Sequence, residues 1–163
     1  MRGSVTVPMA AAPEAVWALV SDVTQIGSYS PETFEAEWLG GATGPTVGAR
    51  FRGHVKRNGR GPIYWTTCEV VASIPGREFA FSVVQREKRT STWRYVIDPT
   101  PGDAAACAVT ESFELLDEWW LRLYWKLMGW SRGKTNENGM RTTHERIRAV
   151  AEGRDRPGEA SAG

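Results

Sequence analysis

The feature that most constrains this chain is a change in the spacing of its apolar residues near residue 116. Between residues 33 and 115 apolar side chains recur at every second position, which is the period of a half-buried β-strand. From Asp117 to Glu152 they recur about every 3.6 residues, as on one face of a helix. The chain is therefore predicted to build a sheet and then to cover it with one long helix, an α+β arrangement.

The alternating region predicts a curved antiparallel sheet of about six to seven strands joined by tight turns. Residues 87–91 and 98–103 have turn and loop compositions, and Asn58-Gly59 is a strong hairpin signal. Two short helices are predicted after the first strand, the first opening at Pro13 and the second capped by Asp22. The predicted strands cover residues 4–9, 33–38, 47–56, 63–73, 78–86, 92–98 and 106–115.

Alternation also predicts which side chains face inward. In strand 106–115, Glu111 shares the inward phase with Val109 and Phe113, whereas His54 in an earlier strand is expected to face water. The phase of strand 63–73 stays open, because both Tyr64 and Trp65 begin an acceptable inward set.

The predicted helix has clear ends. Asp117 can cap its first turn, and Gly153 can take the left-handed conformation that ends it. One apolar stripe lies near each end of the helix. The glycine-containing stretch between the stripes leaves open a close backbone approach, a kink or a break into two helices. The stripes are Leu121, Tyr124, Trp125 and Met128, then Met140, Thr143, Ile147 and Val150.

Composition excludes several classes of function. A length of 163 residues predicts one domain, 1–152, followed by a disordered tail, 153–163. A net charge of +1 without a basic block argues against nucleic acid, and no apolar run reaches the length of a membrane span. Cys68 and Cys107 lack metal-ligand spacing, so we expect free buried thiols, no metal, no cofactor and a cytoplasmic location. Eight tryptophans indicate either a large core or a lined pocket.

Several stretches resemble the START-like, or SRPBCC, superfamily of polyketide cyclases, dehydrases and lipid-transport proteins, and in particular its cyclase-like branch. They are VTVPMAAAPEAVWALVSDVTQIGSYSPET, VGARFRG, WTTCEVVASIPGREFAFSV, TWRYVIDPTPG and AVTESFELL. The resemblance implies a helix-grip fold, in which the sheet grips the C-terminal helix. It also implies a cavity for an apolar small molecule between the two.

The predicted site combines that cavity with the inward residues. Glu111 is the candidate for acid–base chemistry, because a carboxyl group within an apolar cup has a perturbed pKa; an inverted phase would instead leave it in solvent. The main interpretation is a monomeric or weakly dimeric protein that binds an aromatic or lipid-like molecule. A polyketide cyclase, aromatase or dehydratase, and an interaction module using the tryptophan-rich helix start, are the alternatives. The expected ligand-binding residues are Phe51, Tyr64, Phe79, Phe81, Trp93, Tyr95, Phe113, Leu121, Tyr124, Trp125 and Met128.

Overall fold

A computed structural model of the chain describes residues 2–56, 62–116 and 139–153. Within those residues seven strands form one antiparallel sheet, in the order β1-β7-β6-β5-β4-β3-β2. The predicted α+β fold with an antiparallel sheet is confirmed. The strands are β1 (Arg2–Met9), β2 (Thr33–Trp38), β3 (Arg50–Lys56), β4 (Ile63–Ile74), β5 (Glu78–Gln85), β6 (Lys88–Thr100) and β7 (Asp103–Leu115).

Two short helices follow β1, as predicted: α1 (Pro13–Ser21), and α2 (Ile26–Tyr29) after a 3-10 turn. Proline opens α1 at a position where its missing N–H costs little. The Asp22 side chain accepts a hydrogen bond from the backbone N–H of Thr24 at 3.1 Å, so it caps the 3-10 turn. α1 packs against β5, β6 and β7, α2 packs against β2, and the apolar side chains of α1 enter the main core.

Two predicted loops are wrong, because strands occupy most of their residues. The turn between β5 and β6 is made by Arg86 and Glu87, with φ angles of 49° and 60°. Positive φ at both central residues is the conformation of a two-residue hairpin turn, so residues 88–91 are free to pair with β5. The second predicted loop is also mostly strand, since Asp98 and Pro99 pair with β7 and the chain turns at residues 101–102.

The strand predicted over residues 47–56 begins later, at Arg50. Val47 is 60% exposed and Gly48 has a φ of +87°, a conformation that interrupts a regular strand.

The open phase of β4 is settled by its neighbours. Cys68 is buried against β3 and β5, where it pairs with Phe51 and Val83, whereas Trp65 is 40% exposed on the outer face. His54 lies on the outer face as predicted, but it is only 25% exposed because its ring stacks on Trp65 at 4.2 Å.

The described part of the C-terminal helix, α3, covers residues 139–151. Its predicted stripe is confirmed, since Met140, Thr143 and Ile147 are buried and Val150 packs against the core. Gly153 follows with a φ of +70°, which ends the helix in the left-handed conformation. The predicted helix start at Asp117, the first stripe and most of the glycine-containing stretch lie outside the described residues. No helix in the described ranges is long and apolar enough to cross a membrane.

Candidate functional site

The candidate site lies on the inner face of the sheet, where Glu111 sits in a row of side chains that crosses four strands. Glu111 of β7 is paired with Val5 of β1 and Tyr95 of β6, and Tyr95 is paired with Phe79 of β5. The Glu111 side chain is 3% exposed. The inward phase expected for Glu111 is therefore observed, and its catalytic role stays a prediction.

Tyr95 fixes one oxygen of this carboxyl group. The Tyr95 hydroxyl donates a hydrogen bond to Glu111 Oε1 at 2.9 Å, and both side chains are buried. The two strands place the groups side by side because Tyr95 and Glu111 are register partners, and directly opposed side chains are neighbours in an antiparallel pair. This bond orients the carboxyl group and leaves Oε2 facing the helix side.

His144 of α3 faces that second oxygen, with Nε2 at 3.6 Å from Glu111 Oε2. The imidazole is fully buried. Sequence reasoning missed this residue, although His144 lies four residues after Met140 and three before Ile147, on the stripe already predicted to be buried. The helical period was therefore a usable signal.

Burial keeps this pair neutral near pH 7. Loss of hydration raises the pKa of Glu111 to about 8, although the hydrogen bond from Tyr95 acts in the opposite direction. The same loss lowers the pKa of His144 to about 4. A contact of 3.6 Å between a carboxyl group and an imidazole resembles an ion pair, but both pKa shifts favour an uncharged acid beside an uncharged ring.

Two tyrosines supply further hydroxyl groups nearby. Burial, and after it the negative charge of an ionised Glu111, raise the pKa values of both Tyr29 and Tyr95. Both phenols therefore stay protonated. Tyr29, at the end of α2, donates to the carbonyl of Val20 at 3.4 Å, so the cluster joins α2, β6, β7 and α3.

Three buried polar atoms of the cluster have no hydrogen-bond partner among the described residues: Glu111 Oε2 and both ring nitrogens of His144. Buried polar atoms are nearly always bonded, because leaving one unbonded costs about 1–3 kcal/mol. Such atoms at the centre of an apolar interior are typical of a site that receives a polar group from a ligand.

Aromatic side chains border the cluster on one side. Phe113, Trp93 and Phe81 form the neighbouring row of register partners across β7, β6 and β5. The Trp93 and Phe113 rings lie 5.4 Å apart, and the Phe81 ring lies 5.2 Å from that of Phe51. Gly3 of β1 makes room for this row, since a Cβ there would come within 2.9 Å of the Phe113 ring.

The expected ligand-binding residues divide into four groups. Phe81, Trp93, Tyr95 and Phe113 lie next to Glu111 or in the adjacent row, whereas Tyr64 lies on β4, three strands from β7, or about 14 Å at the usual strand spacing. Phe51 and Phe79 face inward but are 1% exposed and belong to the packed core. Leu121, Tyr124, Trp125 and Met128 lie outside the described residues.

The outer face of the sheet carries a different feature, a groove of about 620 Å³ lined mainly by outward polar side chains. Two of its three arginines are engaged, since Arg89 bonds Glu69 and Arg94 bonds Glu78, and Arg2 is the third. These charged and hydroxyl side chains suit an apolar ligand less well than the aromatic side chains of the inner face do. In residues 2–56, 62–116 and 139–153, no three His, Cys, Asp or Glu side chains lie together as a metal site requires.

The fold, a curved antiparallel sheet against a C-terminal helix, is that of START-like proteins. A START superfamily protein from Mycobacterium smegmatis superposes with a TM-score of 0.66 at 16% identity, covering 94% of this chain and 99% of that one. The Polyketide_cyc-like protein Cgl2372 from Corynebacterium glutamicum has a TM-score of 0.59 at 26% identity, covering 99% and 97%. The di-domain ARO/CYC StfQ from the steffimycin biosynthetic pathway has a TM-score of 0.63 at 15% identity, covering 92% of this chain and 44% of StfQ.

Residues 1–152 match the sequence profile of a family described as polyketide cyclase / dehydrase and lipid transport. The chain belongs to this family. A search among proteins of curated function found no match. At the level of the family, membership supports either binding of a hydrophobic ligand or polyketide cyclisation.

Proposed function

We propose that this protein binds an aromatic or lipid-like small molecule between the inner face of the sheet and the C-terminal helix. The observation that carries the proposal is a difference in burial along the inner face. Around Glu111 the face is closed, since Tyr95, Glu111 and Phe113 are each at most 5% exposed. Further along the strands, Phe81, Val83, Trp93 and Leu115 point inward yet are only partly buried.

Inward apolar side chains that the described residues do not fully cover provide a surface for a ligand. Covering apolar area contributes about 25 cal/mol per Å², so a two-ring molecule laid on Trp93 gains several kcal/mol before the cost of association. The adjacent cluster at Glu111 then offers polar groups at one end of an otherwise apolar surface, which is the usual composition of a small-molecule site.

The test is a fluorescence titration with N-phenyl-1-naphthylamine, a neutral apolar probe. Trp93→Ala removes a large part of the proposed surface. We expect the Kd for the probe to rise at least tenfold, since an aromatic anchor in a binding site commonly contributes about 2 kcal/mol. Trp65→Ala is the matched control. It removes a tryptophan that is 40% exposed on the outer face of the same sheet, so its Kd should stay within about twofold of the parent value.

Equal affinities of the parent and a folded Trp93→Ala protein would place the probe elsewhere and contradict the proposal. Loss of affinity in Trp65→Ala alone would move the site to the outer face.

A second function, polyketide cyclisation or dehydration, is favoured by one specific observation. Glu111 is a buried acid whose pKa is raised to about 8, and its Oε2 is unbonded among the described residues. A protonated carboxyl group of this kind can act as a general acid near neutral pH. As an enol carbon of the ligand bonds to a carbonyl carbon, the carbonyl oxygen takes the Glu111 proton. The enol hydroxyl loses its own proton, which returns Glu111 to the acid form.

Glu111→Gln separates the two functions, because glutamine keeps the shape and a hydrogen-bond acceptor for Tyr95 but does not titrate. If the protein is only a binder, Glu111→Gln should bind the fluorescent probe within about threefold of the parent, and the parent should not turn over a short poly-β-ketone thioester. If it is a cyclase, the parent should cyclise the thioester and Glu111→Gln should lose about 100-fold or more of that rate. Equal turnover by both proteins would remove Glu111 from the chemistry.

A further inference from the structure

Two atoms of the cluster that have no hydrogen-bond partner among the described residues lie close enough together to share one ligand atom. Glu111 Oε2 and His144 Nε2 are 3.6 Å apart, which is too far for a direct hydrogen bond. Both side chains are at most 3% exposed, so bulk water does not bond them. One oxygen atom placed about 2.8 Å from each would complete both bonds.

The protons on Glu111 and His144 decide which kind of oxygen atom fits between the two side chains. Tyr95 already donates to Oε1, so Oε2 is the oxygen through which Glu111 contacts a further group. Because Oε1 accepts from Tyr95, the proton of a neutral Glu111 lies on Oε2, which donates toward the gap, whereas His144 Nε2 accepts or donates according to the tautomer of the ring. A hydroxyl group can accept from Oε2 and donate to an accepting Nε2, or accept from both atoms, so it complements the pair in either tautomer. A carbonyl oxygen only accepts and leaves an accepting Nε2 unbonded.

The described residues around the gap supply no positive charge for an anionic head group. The ionisable side chains of the described residues that face the gap are Tyr29 from α2, Tyr95 from β6, Glu111 from β7 and His144 from α3. None of them is a standing cation near pH 7. The arginines closest along these elements are engaged elsewhere: Arg94 bonds Glu78 on the outer face, and exposed Arg146 donates to the carbonyl of Ser30. A carboxylate brought here would lose its hydration without gaining a positive partner.

We propose that Glu111 Oε2 and His144 Nε2 together bind the hydroxyl group of the ligand, so that the site selects a neutral phenol or alcohol over the corresponding hydrocarbon and carboxylate. The inference rests on the proposed function, because the apolar body of the ligand must lie on the inner face. His144 is then a residue that determines specificity, and Tyr95 positions Glu111 for the contact.

The test is isothermal titration calorimetry at pH 7 with three ligands of one size: 2-naphthol, 2-methylnaphthalene and 2-naphthoate. We expect the parent to bind 2-naphthol about tenfold more tightly than 2-methylnaphthalene, the ratio that one net hydrogen bond gives. We expect 2-naphthoate to bind more weakly than both. His144→Leu should abolish the preference for 2-naphthol while keeping the Kd for 2-methylnaphthalene within about twofold.

The chain has two histidines, so His54→Leu on the outer face is the matched control and should keep the tenfold preference. If His144→Leu does not fold, nuclear magnetic resonance of the parent protein tests the same contact. The resonance of His144 Nε2 in a ¹⁵N-labelled sample should shift when 2-naphthol is added and stay unchanged when 2-methylnaphthalene is added.

The outcomes separate this inference from the proposed function. Equal binding of 2-naphthol and 2-methylnaphthalene would overturn the inference and leave the proposed function standing. Tightest binding of 2-naphthoate would also overturn it, because it requires a cation at the site. Binding of none of the three would contradict the proposed function, and the inference would fall with it.

Discussion

Replacing Glu111 by glutamine should change how the stability of the fold depends on pH. The carboxyl group has an ordinary pKa of 4.5 when the chain is unfolded and a pKa of about 8 in the folded protein, because it is buried. Between these values the folded state holds a proton that the unfolded state has released. The free energy of unfolding therefore falls as the pH rises through this window.

The size of the effect follows from linkage. One proton of difference changes the free energy of unfolding by about 1.4 kcal/mol per pH unit, so the parent should lose about 2 kcal/mol between pH 6 and pH 8 through Glu111 alone. His144 acts in the opposite direction in a lower window. Its pKa falls from 6.5 to about 4 on folding, so its contribution rises with pH between those values and has ended by about pH 7.

Urea denaturation followed by circular dichroism at pH 6, 7 and 8 measures this difference. Between pH 6 and pH 8 the free energy of unfolding of Glu111→Gln should rise by about 2 kcal/mol relative to that of the parent. Glu114→Gln, at an exposed position of the same strand, is the matched control and should follow the parent. Parallel curves for the parent and Glu111→Gln would refute the reasoning, because they would mean that Glu111 ionises alike in both states.

Two further substitutions test a buried hydrogen bond and a close backbone contact. Tyr95→Phe removes the donor to Glu111 Oε1, so it should cost about 1–3 kcal/mol in urea denaturation at pH 7; a cost below about 0.5 kcal/mol would mean that the hydrogen bond contributes little. Gly27→Ala should cost at least about 2 kcal/mol, because a Cβ there would lie 2.2 Å from the backbone oxygen of Phe34. Gly44→Ala has no atom within 4 Å of the new Cβ and should stay within about 0.5 kcal/mol of the parent; equal melting temperatures for the two alanine variants would contradict the packing argument.

Many of the residues on the inner face can be predicted from the two-residue alternation of side chains along a strand. Alternation of side chains along a strand predicted that Glu111 and Phe113 share a face, and both are buried there. This succeeded in β7 because its two faces differ sharply in polarity. In β4 both faces carry apolar residues, so only the pairing of Cys68 with Phe51 of β3 decides the phase, and such a partner is not visible in a single strand.

Other features depend on contacts that a local pattern does not contain. The hairpin turn at Arg86 and Glu87 uses two residues that are not typical of positive φ, so its composition carries no signal. The β-bulge between Val70 and Ala72 inserts a residue that only the pairing with β5 reveals. The contact of His144 with Glu111 joins residues 33 positions apart, although the burial of His144 itself was readable from the helical period.

The central claim, that an apolar ligand lies on the inner face of the sheet beside Glu111, is tested most directly by intermolecular nuclear Overhauser effects. ¹³C-labelled protein with unlabelled 2-methylnaphthalene reports which side chains touch the ligand. Because side chains alternate between the two faces, adjacent residues of one strand distinguish them. We expect cross-peaks from the ligand to Phe81 and Trp93. Cross-peaks only to Ser82 and Arg94, which line the groove on the outer face, would contradict it.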